Sequence, residues 1–165
     1  MSAIAEWYLL PTGRIPELNA VCQPTKRSWW RAPARDYDAF WRFLDTHATS
    51  GPGLEASGWV MNPLLLYLQE SLAVPVDVAE RHPLVATVAI DTFLVIEPAA
   101  GEAWRRGLDA ALGDLPAVEA YLGTYYGDQR PLSPDDTKLH VAALRYLLDG
   151  VSRLTDGSVL LLSIG

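Results

Sequence analysis

Apolar residues recur along this chain at two spacings, and each spacing predicts a different element. From position 135 onward the recurrence is helical: His140, Leu144, Leu147, Leu148, Val151 and Leu154 share one side of a wheel turning about every 3.6 residues. Asp135 and Asp136 open this helix. Lys138, Arg145, Asp149 and Arg153 form its polar flank, with Arg145 and Asp149 an i,i+4 pair in the less favourable order, cation first. Gly150 inside the pattern costs about 1 kcal/mol relative to alanine, so the last turn is expected to bend or end early. Asp156-Gly157 then makes a turn. The run Val159-Leu160-Leu161-Leu162 has no polar alternation, which predicts a strand covered on both faces and central in its sheet.

The remaining chain is read by the same two periods. Residues 5–10 predict a first strand, stopped by Pro11, Thr12 and Gly13, and residues 15–22 a short helix begun by Pro16. Asp36 suits the N-cap of an aromatic helix over residues 37–47, where Tyr37, Phe40, Trp41 and Leu44 share a face. A second helix spans residues 59–72, its turns marked by Trp59, Pro63 or Leu64, Leu66, Tyr67 and Glu70; Pro63 fits best if that helix begins near Asn62. Residues 85–96 are apolar and β-branched between Pro83 and Pro98, with the strand signal concentrated in 92–96. Residues 102–112 and 116–121 predict two further helices, and residues 48–57 and 123–134 connections. The order β-α-α-α-β-α-α-α-β, without internal repeat or linker, implies one domain over residues 1–165. Its class is α+β, or α/β, with a small central sheet of about three to four strands under mostly helical cover.

Composition narrows the class of function rather than the fold. A chain of 165 residues buries about 70% of its unfolded surface and needs neither disulfide nor metal to fold. The single Cys22 rules out a disulfide within the chain and fits a cytoplasmic setting; no stretch reaches the length of a membrane span, so no membrane role is expected. Twenty acidic residues against thirteen basic ones leave a net charge of −7. That field repels nucleic acid and steers basic partners inward.

Against this acidic background one segment stands out. Between Glu17 and Asp36 there is no carboxylate, while Lys26, Arg27, Arg31 and Arg35 flank Trp29 and Trp30, so this segment carries +4 and the rest of the chain −11. Forked guanidinium donors beside indole faces suit a phosphate, a carboxylate or a planar ring. Tryptophans folded inward, with cations paired to surface acids, account for the same composition. A second candidate is Tyr125-Tyr126 between Gly123 and Gly127, two amphipathic rings in an expected loop. His47, His82 and His140 share no metal-ligand spacing with one another or with Cys22, so neither metal nor cofactor is expected. His140, with Asp136 one turn before it, and Asp91, inside an apolar run, are the candidates for an acid-base group. A hydrogen-bonded core histidine and a turn-forming Asp91 beside Thr92 explain them as well. No G-x-S-x-G, phosphate-loop or G-x-G-x-x-G pattern occurs.

Two functions fit these residues. The first is a small cytoplasmic, non-catalytic interaction protein, monomer or homodimer, that neutralises or scaffolds a basic protein partner through its aromatic loops. The second is a small enzyme or small-molecule-binding domain with an aromatic and arginine-lined pocket and His140 or Asp91 as acid-base group.

Overall fold

A computed structural model describes residues 5–23, 37–55, 58–76, 92–127 and 132–165. In chain order these form β1 (Ala5–Pro11), a 3₁₀ turn (Thr12–Arg14), α1 (Ile15–Cys22), α2 (Tyr37–His47), β2 (Thr49–Ser50), α3 (Gly58–Leu72), β3 (Thr92–Ile96), α4 (Pro98–Gly113), α5 (Leu115–Tyr125), α6 (Pro134–Ser152) and β4 (Ser158–Ile164). The strands make one antiparallel sheet in the order β2-β1-β4-β3, so the apolar β4 is an inner strand, as its sequence predicts. The architecture is α+β.

Strand periodicity divides the sheet into two faces. Trp7, Leu162 and Leu94 stand in register across three strands, as do Leu9, Leu160 and Ile96, and these rows enter the core beneath α3, α4, α5 and α6. One residue along each strand, Tyr8, Leu161 and Val95 form the opposite row, which with Leu10 and Val159 packs against Ile15, Leu18, Phe40, Phe43 and Leu44 of α1 and α2. A strand buried on both faces cannot alternate, because both pleats point into protein.

Helix ends follow local chemistry. Ser133 caps α6 in a capping box: its hydroxyl accepts the Asp136 N–H at 3.1 Å, while the Asp136 carboxylate accepts the Ser133 N–H at 3.2 Å. Asp114 caps α5 by accepting the Ala117 N–H at 3.2 Å. Pro98 stands at the first position of α4, so the helix begins four residues before the expected Glu102: proline's missing N–H costs nothing there. Pro63, by contrast, lies inside α3, which begins at Gly58 rather than near Asn62. α3 ends with Ala73 at φ +53°, and the Val74 N–H turns back to Leu68 O at 2.9 Å.

Two further expectations are corrected. Residues 123–125 belong to α5 and not to a loop, since the apolar Val118 and Leu122 keep the helix anchored through its last turn. Asp149 pairs with Arg153 rather than Arg145, through guanidinium contacts of 3.1 Å; the acid then precedes the cation, the better order on a helix.

Trp7 joins the sheet to α6. Its ring lies against the backbones of Gly51 and Gly150, with the Arg153 guanidinium 5.6 Å from the ring centroid. The Trp7 amide, with no residue of the two-residue β2 opposite it, donates to the Tyr146 hydroxyl at 3.0 Å. The indole Nε1–H is buried without an acceptor among the described residues. Gly150 is therefore a close-approach residue inside a helix that continues to Ser152, not a break.

Candidate functional site

The helical layer over the sheet brings three chain segments together at one end. Trp59 is the second residue of α3, Tyr125 ends α5 with Tyr126 as its C-cap, and His140 lies in the second turn of α6. Their rings form a connected cluster. Trp59 and Tyr126 meet edge to face at 6.0 Å, Trp59 and His140 at 6.1 Å, and Tyr125 and Tyr126 at 5.4 Å, while Tyr126 and His140 are tilted at 6.4 Å. Tyr121, one helical turn before Tyr125, continues the ribbon by packing on Tyr67 at 5.2 Å.

This cluster has a wet side and a dry side. Among the described residues, the exposed large hydrophobic side chains are Trp59, at 51%, and Tyr125, at 48%. Both belong to the ribbon. His140, 2% exposed, lies behind them. Its Nδ1 stands 2.7 Å from the carbonyl oxygen of Asp136, a distance that requires the Nδ1 proton to point at that oxygen. Nε2 then faces the Tyr126 hydroxyl at 3.5 Å, and that hydroxyl donates to the backbone oxygen of Trp59 at 2.6 Å. Both ring nitrogens are thus turned to protein. An imidazole so enclosed can orient neighbours, but it offers no open nitrogen to a substrate.

Carboxylates accompany the ribbon. Glu70 accepts the Tyr121 hydroxyl at 2.7 Å, and Glu119 accepts Thr137 Oγ at 2.9 Å. Asp135 and Asp136 occupy the first turn of α6, with Lys138 on Asp135 at 3.0 Å. Burial, then the charges of Tyr125 and Asp136, pushes the Tyr126 phenol up to about 12; burial and the Glu70 contact push Tyr121 up to about 12 as well. Both phenols are neutral donors near neutral pH.

The other expected site residues distribute as follows. Lys26, Arg27, Trp29, Trp30, Arg31 and Arg35, together with Asp91, lie outside the described residues. Tyr125 and Tyr126, predicted together as one candidate, and His140, predicted apart from them, meet in one cluster. Cys22 is buried in the core beneath α1 and α2. Trp59 was read only as a helix position. Its neighbours on the wheel identify its face: Asn62 and Glu70, three and eleven residues on, are exposed while Pro63 is buried, so Trp59 stands at the margin between the polar and the buried side of α3. No group of three or more His, Cys, Asp or Glu side chains suited to a metal occurs among the described residues. A hollow of about 380 Å³, lined by Leu72, Ala73, Ala103, Arg106, Gly107 and Ala110, lies at the end of α3 opposite Trp59. No helix among the described residues is long and apolar enough to cross a membrane.

Comparison with protein-family models, with curated proteins and with solved structures finds no match to this chain.

Proposed function

We propose that this protein is a non-catalytic interaction module whose contact face is the Trp59–Tyr125 end of the helical layer, and that its partner is a basic protein segment. The observation that carries the reading is that the exposed large hydrophobic side chains among the described residues, Trp59 and Tyr125, fall in one ribbon backed by the buried His140 and tied by hydrogen bonds from Tyr126 and His140 to backbone carbonyls. Exposed apolar rings grouped on a rigid base suit a contact surface better than they suit the surface of an isolated monomer. Charge selects the partner. Glu70, Asp135 and Asp136 near the rings, within a chain of net −7, favour arginine or lysine side chains, which pair with carboxylates and stack on indole and phenol faces. The enclosed nitrogens of His140 favour this reading over one in which that histidine serves as an acid-base group.

The test uses an arginine-rich peptide as probe, with a glutamate-rich peptide of the same length as control. Calorimetric titration should show binding of the arginine peptide that weakens at least about tenfold on Trp59→Ala, the upper range for a desolvated cation–π contact, and weakens again as salt rises. Binding that ignores both the substitution and the salt removes the basis of the proposal. Self-association through the same face, read by sedimentation and abolished by Trp59→Ala, would assign the surface to a second copy of the chain instead.

A further inference from the structure

We infer that Tyr126 is the positioning residue of this surface: its hydroxyl stands in for the backbone N–H that Pro63 cannot supply, and this bond holds Trp59 in its outward presentation. In an α-helix the carbonyl of residue 59 accepts the N–H of residue 63. In α3 that residue is Pro63, which has no N–H to donate. The Trp59 oxygen left over is the atom to which the Tyr126 hydroxyl donates, at 2.6 Å, across 67 positions of sequence. A proline inside one helix and a tyrosine at the end of another are thus two halves of one contact.

The arrangement holds backbone and side chain together. While its hydroxyl binds the Trp59 carbonyl, the Tyr126 ring packs edge-on against the Trp59 indole at 6.0 Å, and His140 closes the back of both. The single phenolic proton has two acceptors in view, the Trp59 oxygen at 2.6 Å and His140 Nε2 at 3.5 Å, and the shorter distance places it on the carbonyl. If residue 63 had an N–H, the carbonyl would be satisfied within its own helix, and the Tyr126 hydroxyl would be free to turn to His140.

The proposal deepens the contact-surface reading and rests on it for its functional meaning, but its test contains no partner, so the two fail separately. The full chain is labelled with 5-fluorotryptophan, and the Trp59 fluorine resonance is assigned by its loss in Trp59→Phe. Tyr126→Phe is then compared in the wild-type and Pro63→Ala backgrounds. In the wild type, Tyr126→Phe should move the Trp59 resonance toward the position of unfolded protein and lower the folded-to-unfolded ratio by about fivefold, the net worth of one solvent-accessible hydrogen bond. In the Pro63→Ala background the same substitution should change that ratio by less than about twofold, because the new N–H supplies the bond. Equal losses in the two backgrounds would overturn the coupling to Pro63. A loss of stability with no movement of the Trp59 resonance would reduce Tyr126 to a core plug and overturn its positioning role.

Discussion

Replacing Gly150 by alanine sets helix propensity against packing, and the structure decides the sign. Gly150 lies inside α6, where alanine gains about 1 kcal/mol over glycine. An added Cβ, however, would stand 3.0 Å from Trp7 Cδ1 and 3.1 Å from Cγ, so the indole must retreat by a few tenths of an ångström. It has nowhere to go. The Gly51 backbone already abuts the ring so closely that a Cβ there would fall 2.2 Å from Trp7 Cε2, and the Trp7 amide is tied to Tyr146. Overpacking a rigid, fully buried ring costs about 1–3 kcal/mol, which outweighs the propensity gain and leaves a net loss of about 1 kcal/mol. The matched control is Gly113→Ala at the exposed end of α4, where an added Cβ meets nothing within 4 Å and the change should stabilise by up to about 1 kcal/mol. Urea unfolding followed by circular dichroism measures both, with the m-value as the check that the unfolded reference is unchanged. If Gly150→Ala stabilises the protein as much as Gly113→Ala does, the contact with Trp7 is not what keeps glycine at this position.

Ala73→Gly should stabilise the protein by about 0.5–1 kcal/mol in the same assay, because Ala73 holds φ +53° at the end of α3, a conformation that glycine adopts without strain. Ser133→Ala should destabilise by about 1 kcal/mol through loss of the α6 cap, with increased amide exchange at Asp136 as the local readout. Burial raises the phenols of Tyr8, Tyr67, Tyr121, Tyr126 and Tyr146 above the ordinary 10.0, the last three to about 12. Between pH 10 and 12 the unfolded chain then loses phenolic protons that the folded chain keeps, so stability must fall as pH rises through that window. An ultraviolet titration in which all tyrosines of the folded protein ionise together near 10 would contradict this assignment of burial.

The elements whose burial is declared by local pattern were legible in the sequence. The unalternating leucines of β4 marked a strand with protein on both sides, and the wheel of α6 placed His140, Leu144, Leu147 and Val151 in the core, where they lie. Features set by distant partners were not legible. β2 has two residues and no pattern of its own; it exists because β1 offers an edge. The length of α5 depends on the layer it packs against, so glycines at 123 and 127 looked like loop borders when the first lies inside the helix. Pro63 read as a helix start because nothing local announces that a tyrosine from α5 will take up the carbonyl it strands. The candidate site was visible only as fragments. Tyr125, Tyr126 and His140 could each be named for its chemistry, whereas Trp59 became a member only through the turn of α3 that points it outward.

The place of β4 in the sheet bears on how the protein is made. β1 and β3 do not pair with each other; each pairs with β4, which follows them by some 150 and 60 positions of chain. During synthesis both earlier strands therefore wait with open edges until residues 158–164 have emerged, and the helices that cover them have no finished floor to settle on. The sheet can close only late, and in the interval before it the net charge of −7 opposes pairing of those edges with a neighbouring copy.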